Sequence, residues 1–359
     1  MKVFLSLFLM FLGWIGEAQA QVEVTNVPRY KAYPPIMAQP ALTLGNNSYV
    51  EGIVKRNVLR CGTNLKVKSY AYKEHNIWHG IDADFCRVAA QAILGDMEKI
   101  EMVHVPSGQV AEALNSAKID VMLSGSGYSA RLETAHKVSN AGLLYYDYQY
   151  VLAPKDGSED LADYKDKRMC LSGDSDYFRH FQDYNVRYNF GIKYLTFNSF
   201  EQAREALLLK RCQLLSASGL LLYGLQNEVP QLNMRVLPVK ISVQPTYAVV
   251  KYGNVDLQIA LKWVYNALFL AEQYGMNMQN MGYFATNEDP EVRNLLGDNP
   301  EMWKNLLLQP KWLREVITKL GNYGDIYERN LGKESEFKLQ RNEGNLLKNG
   351  GTIYPLPFI

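Results

Sequence analysis

Ile100-Glu-Met-Val-His-Val-Pro-Ser-Gly-Gln-Val-Ala-Glu-Ala-Leu-Asn-Ser-Ala-Lys-Ile-Asp-Val-Met-Leu-Ser-Gly-Ser-Gly127 reads as one strand–helix–strand passage. Residues 100–105 carry a strand signal, and 110–117 space their apolar side chains as a helix does. Residues 120–123 return to a short strand that runs into Ser124-Gly-Ser-Gly127. A helix between two strands is the crossover that parallel pairing requires. Earlier in the chain, 58–62 predicts a strand. Residues 84–94 predict an amphipathic helix with Phe85, Val88, Ala89, Ala92 and Ile93 on one face. Later, 145–153 predicts a longer strand. A second series then follows, with strands at 168–171, 193–197, 213–216 and 234–239 and helices at 176–184, 200–209 and 219–226. A last strand is expected at 247–250, and 255–327 reads as mostly helical.

Two β-then-α series joined by extended segments predict two α/β lobes with two crossings. The chain leaves lobe 1, builds lobe 2 and returns. Ligands in such sheets bind beyond the carboxyl ends of the strands, here in the cleft between lobes. The expected division is 51–147 for the first part of lobe 1, 148–153 and 244–250 for the hinge, and 154–243 for lobe 2. Residues 251–359 complete lobe 1 and add C-terminal helices. Residues 21–50 hold Pro28, Pro34, Pro35 and Pro40 with little periodicity and read as an extended arm.

The composition narrows the function. Of 359 residues, 47% are hydrophobic and 21% charged, which is a globular balance. With 38 Lys+Arg against 37 Asp+Glu, the net charge is +1, so no basic field exists to hold nucleic acid. Residues 1–20 read as a cleaved secretory signal. Lys2 is followed by an apolar run from Val3 to Ile15, and Ala18-Gln-Ala20 offers the small residues of a cleavage site. That run is shorter than the ~20 residues of a spanning helix. The expectation is an exported protein of the periplasm. Four cysteines, Cys61, Cys86, Cys170 and Cys212, suit an oxidising compartment. Spacing alone leaves three pairings open.

Val58-Leu-Arg-Cys-Gly-Thr-Asn64, Trp78-His-Gly-Ile-Asp-Ala-Asp-Phe-Cys-Arg87, Leu143-Leu-Tyr-Tyr-Asp147, Asn287-Glu-Asp-Pro-Glu-Val-Arg293 and Tyr323-Gly-Asp-Ile-Tyr-Glu-Arg-Asn330 resemble signatures of the general L-amino-acid-binding periplasmic proteins. The resemblance runs from about residue 48 to the end. It implies the two-lobed type II periplasmic-binding-protein fold, the receptor role in an amino-acid ABC transporter, no catalysis and no cofactor. It also implies a permease partner in the inner membrane and, as an expectation, a monomer. All four cysteines fall where family members commonly have one. Within the two-lobe arrangement this favours Cys61–Cys86 and Cys170–Cys212, one disulfide per lobe. The Gly80–Asp84 turn and the 323–330 segment read as structural, with Asp84 near a helix N-terminus and 323–330 packing on lobe 1.

The ligand residues that the resemblance implies depart from the family pattern. A zwitterionic solute needs donors for its carboxylate and an acceptor for its ammonium, because buried unpaired charge is costly. Ser129 matches the family's Thr, but the register of the following Arg falls on Leu132. Arg131 lies one residue early, a turn of about 100° on a helix. Two placements are open for it, in the cleft or solvated at a helix start. The lobe 2 loop Ser172-Gly173-Asp174-Ser175 puts Asp174 where a Thr is expected. Ser218 stands in the register of the ammonium-binding Asp. Tyr70 matches the aromatic residue that flanks the ligand. Gly125 and Ser126 offer backbone groups, and Tyr72 and Tyr128 add aromatic surface. The expected solute is an amino acid or a neutral or cationic relative of one.

Enzyme readings are weak. His75 and His79 lack a third metal ligand, Ser124–Gly127 is neither a nucleophile elbow nor a P-loop, and Asp174 with Asp176 has no substrate logic. Two classes stand. One is a transport receptor that traps a small solute; the other is a diverged interaction or sensory module with amino-acid binding lost.

Overall fold

The computed structural model describes residues 48–64, 68, 70–124, 128, 130–173 and 175–358, with the backbone alone for Ser107 and Arg131. Ser48 caps the first helix, α1 (Tyr49–Arg56), through the amide of Glu51, and its hydroxyl also donates to Asp256 at 2.7 Å. This helix begins inside the stretch read as an extended arm. The chain continues through β1 (Leu59–Thr63), the hairpin β2 (Tyr72–Glu74) and β3 (Ile77–His79), and α2 (Ile81–Leu94). It then forms β4 (Ile100–His104), α3 (Val110–Asn115), β5 (Val121–Met122), α4 (Ala130–His136) and β6 (Val138–Pro154). The hairpin turn uses His75 and Asn76 at positive φ, the geometry of a tight two-residue turn.

Lobe 2 follows as β7 (Arg168–Ser172), α5 (Asp176–Arg187), β8 (Lys193–Phe197), α6 (Phe200–Leu208), β9 (Leu214–Ser218), α7 (Gly219–Glu228) and β10 (Met234–Val236). The return strand β11 (Ser242–Lys251) leads into α8 (Val255–Gln273), α9 (Met281–Phe284), α10 (Pro290–Leu295), α11 (Pro300–Asn305), α12 (Trp312–Leu320) and α13 (Tyr323–Asn330). No helix among the described residues is long and apolar enough to cross a membrane.

The main sheet runs β4-β1-β5-β11-β6-β9-β7-β8, with β10 also on β6. Its outer strands are parallel within each half: β1 with β4 and β5, and β7 with β8 and β9. The two central strands, β6 and β11, are antiparallel to each other and to their outer neighbours. At ~3.3 Å per residue β6 extends about 55 Å, long enough to run through both halves. Val249 of β11 still pairs with Met122 of β5, while Gln149–Leu152 of β6 pair with β9. Residues 141–148 and 243–248 therefore span the two halves. Irregular register at Thr246, Tyr247 and Val249 breaks the ribbon there.

The α2 helix is buried on every side, not on one face, because α8, α12 and α13 pack around it on the sheet. Its Asp84, 6% exposed, accepts from Arg329 at 2.8 Å and from Asn330 at 2.7 Å. That contact joins two of the motifs read from the sequence, and a capping box at Asn322 and Asp325 starts the second. Both expected disulfides form, Cys61–Cys86 and Cys170–Cys212. The C-terminal segment returns over the ribbon. Tyr148 Oη donates to the Arg341 carbonyl at 2.6 Å, and Lys240 pairs with Glu343 at 2.7 Å.

Candidate functional site

The carboxyl ends of β1, β5, β7 and β9 face one another across the β6–β11 ribbon, which places the cleft there. From lobe 1 come Thr63, the last residue of β1, Ser124 after β5, Tyr70, and Asp82 in the first turn of α2. The Tyr70 carbonyl accepts from the Asp82 amide at 3.0 Å, which ties the loop after β1 to the helix start. From lobe 2 come Ser218, the last residue of β9, and Tyr177 in the first turn of α5. The ribbon contributes Asp147 and Gln149.

Asp147 is the centre of this cluster. Its Oδ2 accepts from the Tyr177 hydroxyl at 2.8 Å, and its Oδ1 accepts from the Tyr148 amide at 2.8 Å. The Gly219 amide at the start of α7 also favours the charged form. Burial pushes the Asp147 carboxyl above the usual carboxylate range, and the surrounding hydroxyl and amide donors oppose that shift. Ser218 Oγ lies against the Asp147 carboxylate and the Tyr70 hydroxyl. It is 1% exposed and reaches regular hydrogen-bond geometry with neither. Burial, then the neighbouring Asp147, holds the Tyr177 phenol well above its ordinary value, so it stays a donor.

Gln149 fixes the α5 start beside this cluster. Its Nε2 donates to the Tyr177 carbonyl at 2.8 Å and to Ser216 Oγ at 2.9 Å, while its Oε1 accepts from Ser242 at 3.0 Å. On the lobe 1 side, Asp82 Oδ2 accepts from Thr63 Oγ1 at 2.5 Å. Burial pushes Asp82 up to about 7 against the Ser124 and Thr63 hydroxyls, and its other oxygen has no partner.

Of the sequence-predicted residues, Tyr70 and Ser218 meet in this cluster. Gly173 and Ser175 lie at the turn from β7 into α5. The Gly173 amide is taken by the Phe197 carbonyl at 2.8 Å, and the Ser175 hydroxyl turns back to the Ser172 carbonyl at 2.7 Å instead of capping α5. Tyr72 is elsewhere, stacked on His79 in the hairpin. Tyr128 meets Tyr247 edge to face. Gly125, Ser126, Ser129 and Asp174 lie outside the described residues. So does the Arg131 side chain, whose backbone is the second residue of α4. Among the described residues no group of His, Cys, Asp and Glu could hold a metal ion.

Asp147, Tyr177, Gln149 and Asp82 were not read as site residues. Asp147 and Asp82 stood inside quoted motifs, so the signal was present, but their roles depend on strand pairing. A cavity of about 370 Å³ lies among the ribbon's Tyr148 and Tyr150, Tyr223 of α7 and the C-terminal segment. Asp147 and Gly219 of the cluster also line it, whereas Tyr70, Tyr177 and Ser218 do not.

No protein-family model matches the chain. It is 28% identical over 312 residues to YhdW of Escherichia coli, provisionally named an amino-acid ABC transporter-binding protein, covering 86% of this chain and 92% of YhdW. It is 25% identical over 307 residues to the general L-amino acid-binding periplasmic protein AapJ of Rhizobium johnstonii, covering 84% of this chain and 90% of AapJ. An ABC transporter periplasmic binding protein from Brucella ovis, solved with glutathione bound, superposes with a TM-score of 0.81 at 26% identity, covering 87% of this chain and all of that one. In sequence and architecture the chain is a relative of the amino-acid ABC transporter-binding proteins, built on the type II periplasmic-binding-protein fold.

Proposed function

We propose that the chain is a periplasmic receptor that captures a small solute of the amino-acid class between its lobes and delivers it to an ABC transporter permease in the inner membrane. One observation carries this reading: Tyr70 of lobe 1 and Ser218 and Tyr177 of lobe 2 converge at the carboxyl ends of the strands. The relatives support the solute class, and the periplasmic setting in AapJ's name agrees with the signal-like first twenty residues. Closure bends the ribbon where it passes between the lobes, at 141–148 and 243–248, shifted toward lobe 1 from the expected 148–153 because Gln149–Leu152 pair with β9, and overlapping the expected 244–250. The site is an altered one, with neutral Ser218 in place of an anionic acceptor. The Brucella relative's bound glutathione extends the candidate solutes to amino-acid-derived peptides.

Calorimetric titration of the mature protein with the twenty L-amino acids and glutathione tests this reading. At least one should bind with compaction in solution scattering, and simple neutral L-amino acids should bind at least about tenfold more weakly than the preferred solute, or about 1.4 kcal/mol. Absence of binding by every compound would overturn the receptor reading and favour an interaction module.

A further inference from the structure

Four aspartates are buried among the described residues: Asp82, Asp84, Asp120 and Asp147. Two have cationic partners. Asp120 pairs with Arg56 at 2.6 Å and Arg60 at 2.8 Å, and Asp84 pairs with Arg329 at 2.8 Å and Arg87 at 3.4 Å. Asp82 and Asp147 make no ion pair with any described residue. The described groups that act on Asp147, Tyr177, Tyr70 and Tyr145 are carboxylates, phenols, hydroxyls and amides, with no lysine or arginine among the described residues. A buried carboxylate without a counter-charge is unfavourable, and one beside a ligand cleft gains most from a ligand that brings the cation.

Asp82 is the weaker candidate. It sits in the lobe 1 wall behind the Thr63 and Ser124 hydroxyls, and its raised pKa leaves it largely neutral below about pH 7. Asp147 lies one strand from Ser218, since β6 pairs with β9 at Gln149 opposite Ser218. A phenol that donates to a carboxylate becomes a better acceptor at its oxygen, because hydrogen bonds in a chain polarise one another. Ser218 Oγ, buried beside Asp147 and the Tyr70 and Tyr177 hydroxyls but without a regular hydrogen bond, offers a second oxygen there.

We propose that Asp147, acting through the Tyr177 hydroxyl and beside the Ser218 hydroxyl, supplies the negative pole that recognises a ligand's ammonium group. The charge that the register of Ser218 lacks is thereby provided from the adjacent strand. Asp147 is a positioning residue here, with Tyr177 and Ser218 as the contacting groups. This inference rests on the receptor reading above.

The test uses matched pairs of probes: L-glutamate with glutarate, L-cysteine with mercaptopropionate, and glutathione with its deaminated form. Wild-type protein should bind the ammonium-bearing member of at least one pair about tenfold or more tightly than its partner. In Asp147→Asn and in Tyr177→Phe that preference should fall below about threefold. The Tyr177→Phe variant leaves the amide contacts of Asp147 in place and guards against misfolding of the first. Adding Ser218→Asp to Asp147→Asn should restore the preference, which repair of a merely structural defect would not do. An unchanged preference in both single variants would overturn the inference while leaving the receptor reading intact. Failure of all three ammonium-bearing probes to bind wild-type protein would overturn the inference, and the receptor reading falls with it only if the full set of twenty L-amino acids also fails to bind.

Discussion

Asp120 and Asp147 are both buried carboxylates at the central sheet, 1% and 5% exposed, in opposite surroundings. Asp120 receives the Arg56 and Arg60 side chains, the Arg60 amide and the Tyr49 hydroxyl. Its charge is matched within the fold, and it ties α1 to β1 and β5. Burial and that carboxylate together push the Tyr49 phenol up to about 12. Asp147 receives one phenol and backbone amides and no cation among the described residues. The first arrangement serves stability at lobe 1's edge. The second leaves a buried carboxylate on the ribbon without a cationic partner among the described residues. Asp84 repeats the first pattern, and Asp82 stands nearer the second.

The sharpest break in this comparison is Asp120→Ala. Removing the shared partner leaves two guanidinium groups and a phenol partly buried around a void. Unfolding stability should fall by about 3–5 kcal/mol, the usual cost of breaking a buried pair. Chemical denaturation reads this, and solute selectivity in the surviving folded protein should be unchanged. A change in selectivity would erase the division between the two aspartates.

Next is the pH dependence carried by Asp82. Its folded value of about 7 lies above the unfolded value of 3.8, so its proton is held more tightly in the native state. Its contribution is full below the unfolded value and is lost as pH rises through about 7, at about 1.4 kcal/mol per unit and at most about 4 kcal/mol in all. Relative to Asp82→Asn, wild-type protein should therefore lose stability between pH 4 and pH 8. Parallel stability curves for the two proteins would show that Asp82 is charged in the fold and would place it with Asp120.

The smallest expected effect concerns the C-terminal segment over the ribbon. The Lys240–Glu343 pair is about one-third exposed on each side. Screening by solvent limits it, and Lys240→Ala should cost about 0.2–1 kcal/mol. Thermal unfolding at low and high salt should show a loss that salt diminishes. A loss several times larger would mean that this strap holds the lobes together as the Asp120 pairs hold lobe 1.

Much of the architecture was legible before any coordinates. Hydrophobic period and turn residues are written in consecutive positions, so β8 matched its expected residues and most other strands and helices lay within a few of theirs. The quoted motifs also carried the family resemblance and, with the two-lobe reading, both disulfides. The short elements were harder. The α1 helix hid in a proline-rich context, and β2 and β3 are three residues each, too short for a period to register. Residue type and register put Tyr70 and Ser218 among the expected ligand residues. They could not reveal Asp147 as the neighbour of Ser218, because that contact exists only through the antiparallel pairing of β6 with β9. Nor could they tell which buried aspartates are neutralised, since Arg329 and Arg56 come from helices remote in sequence from Asp84 and Asp120. Local periodicity determined the elements and their order. Long-range packing decided which buried carboxylates meet a cation and which meet none among the described residues.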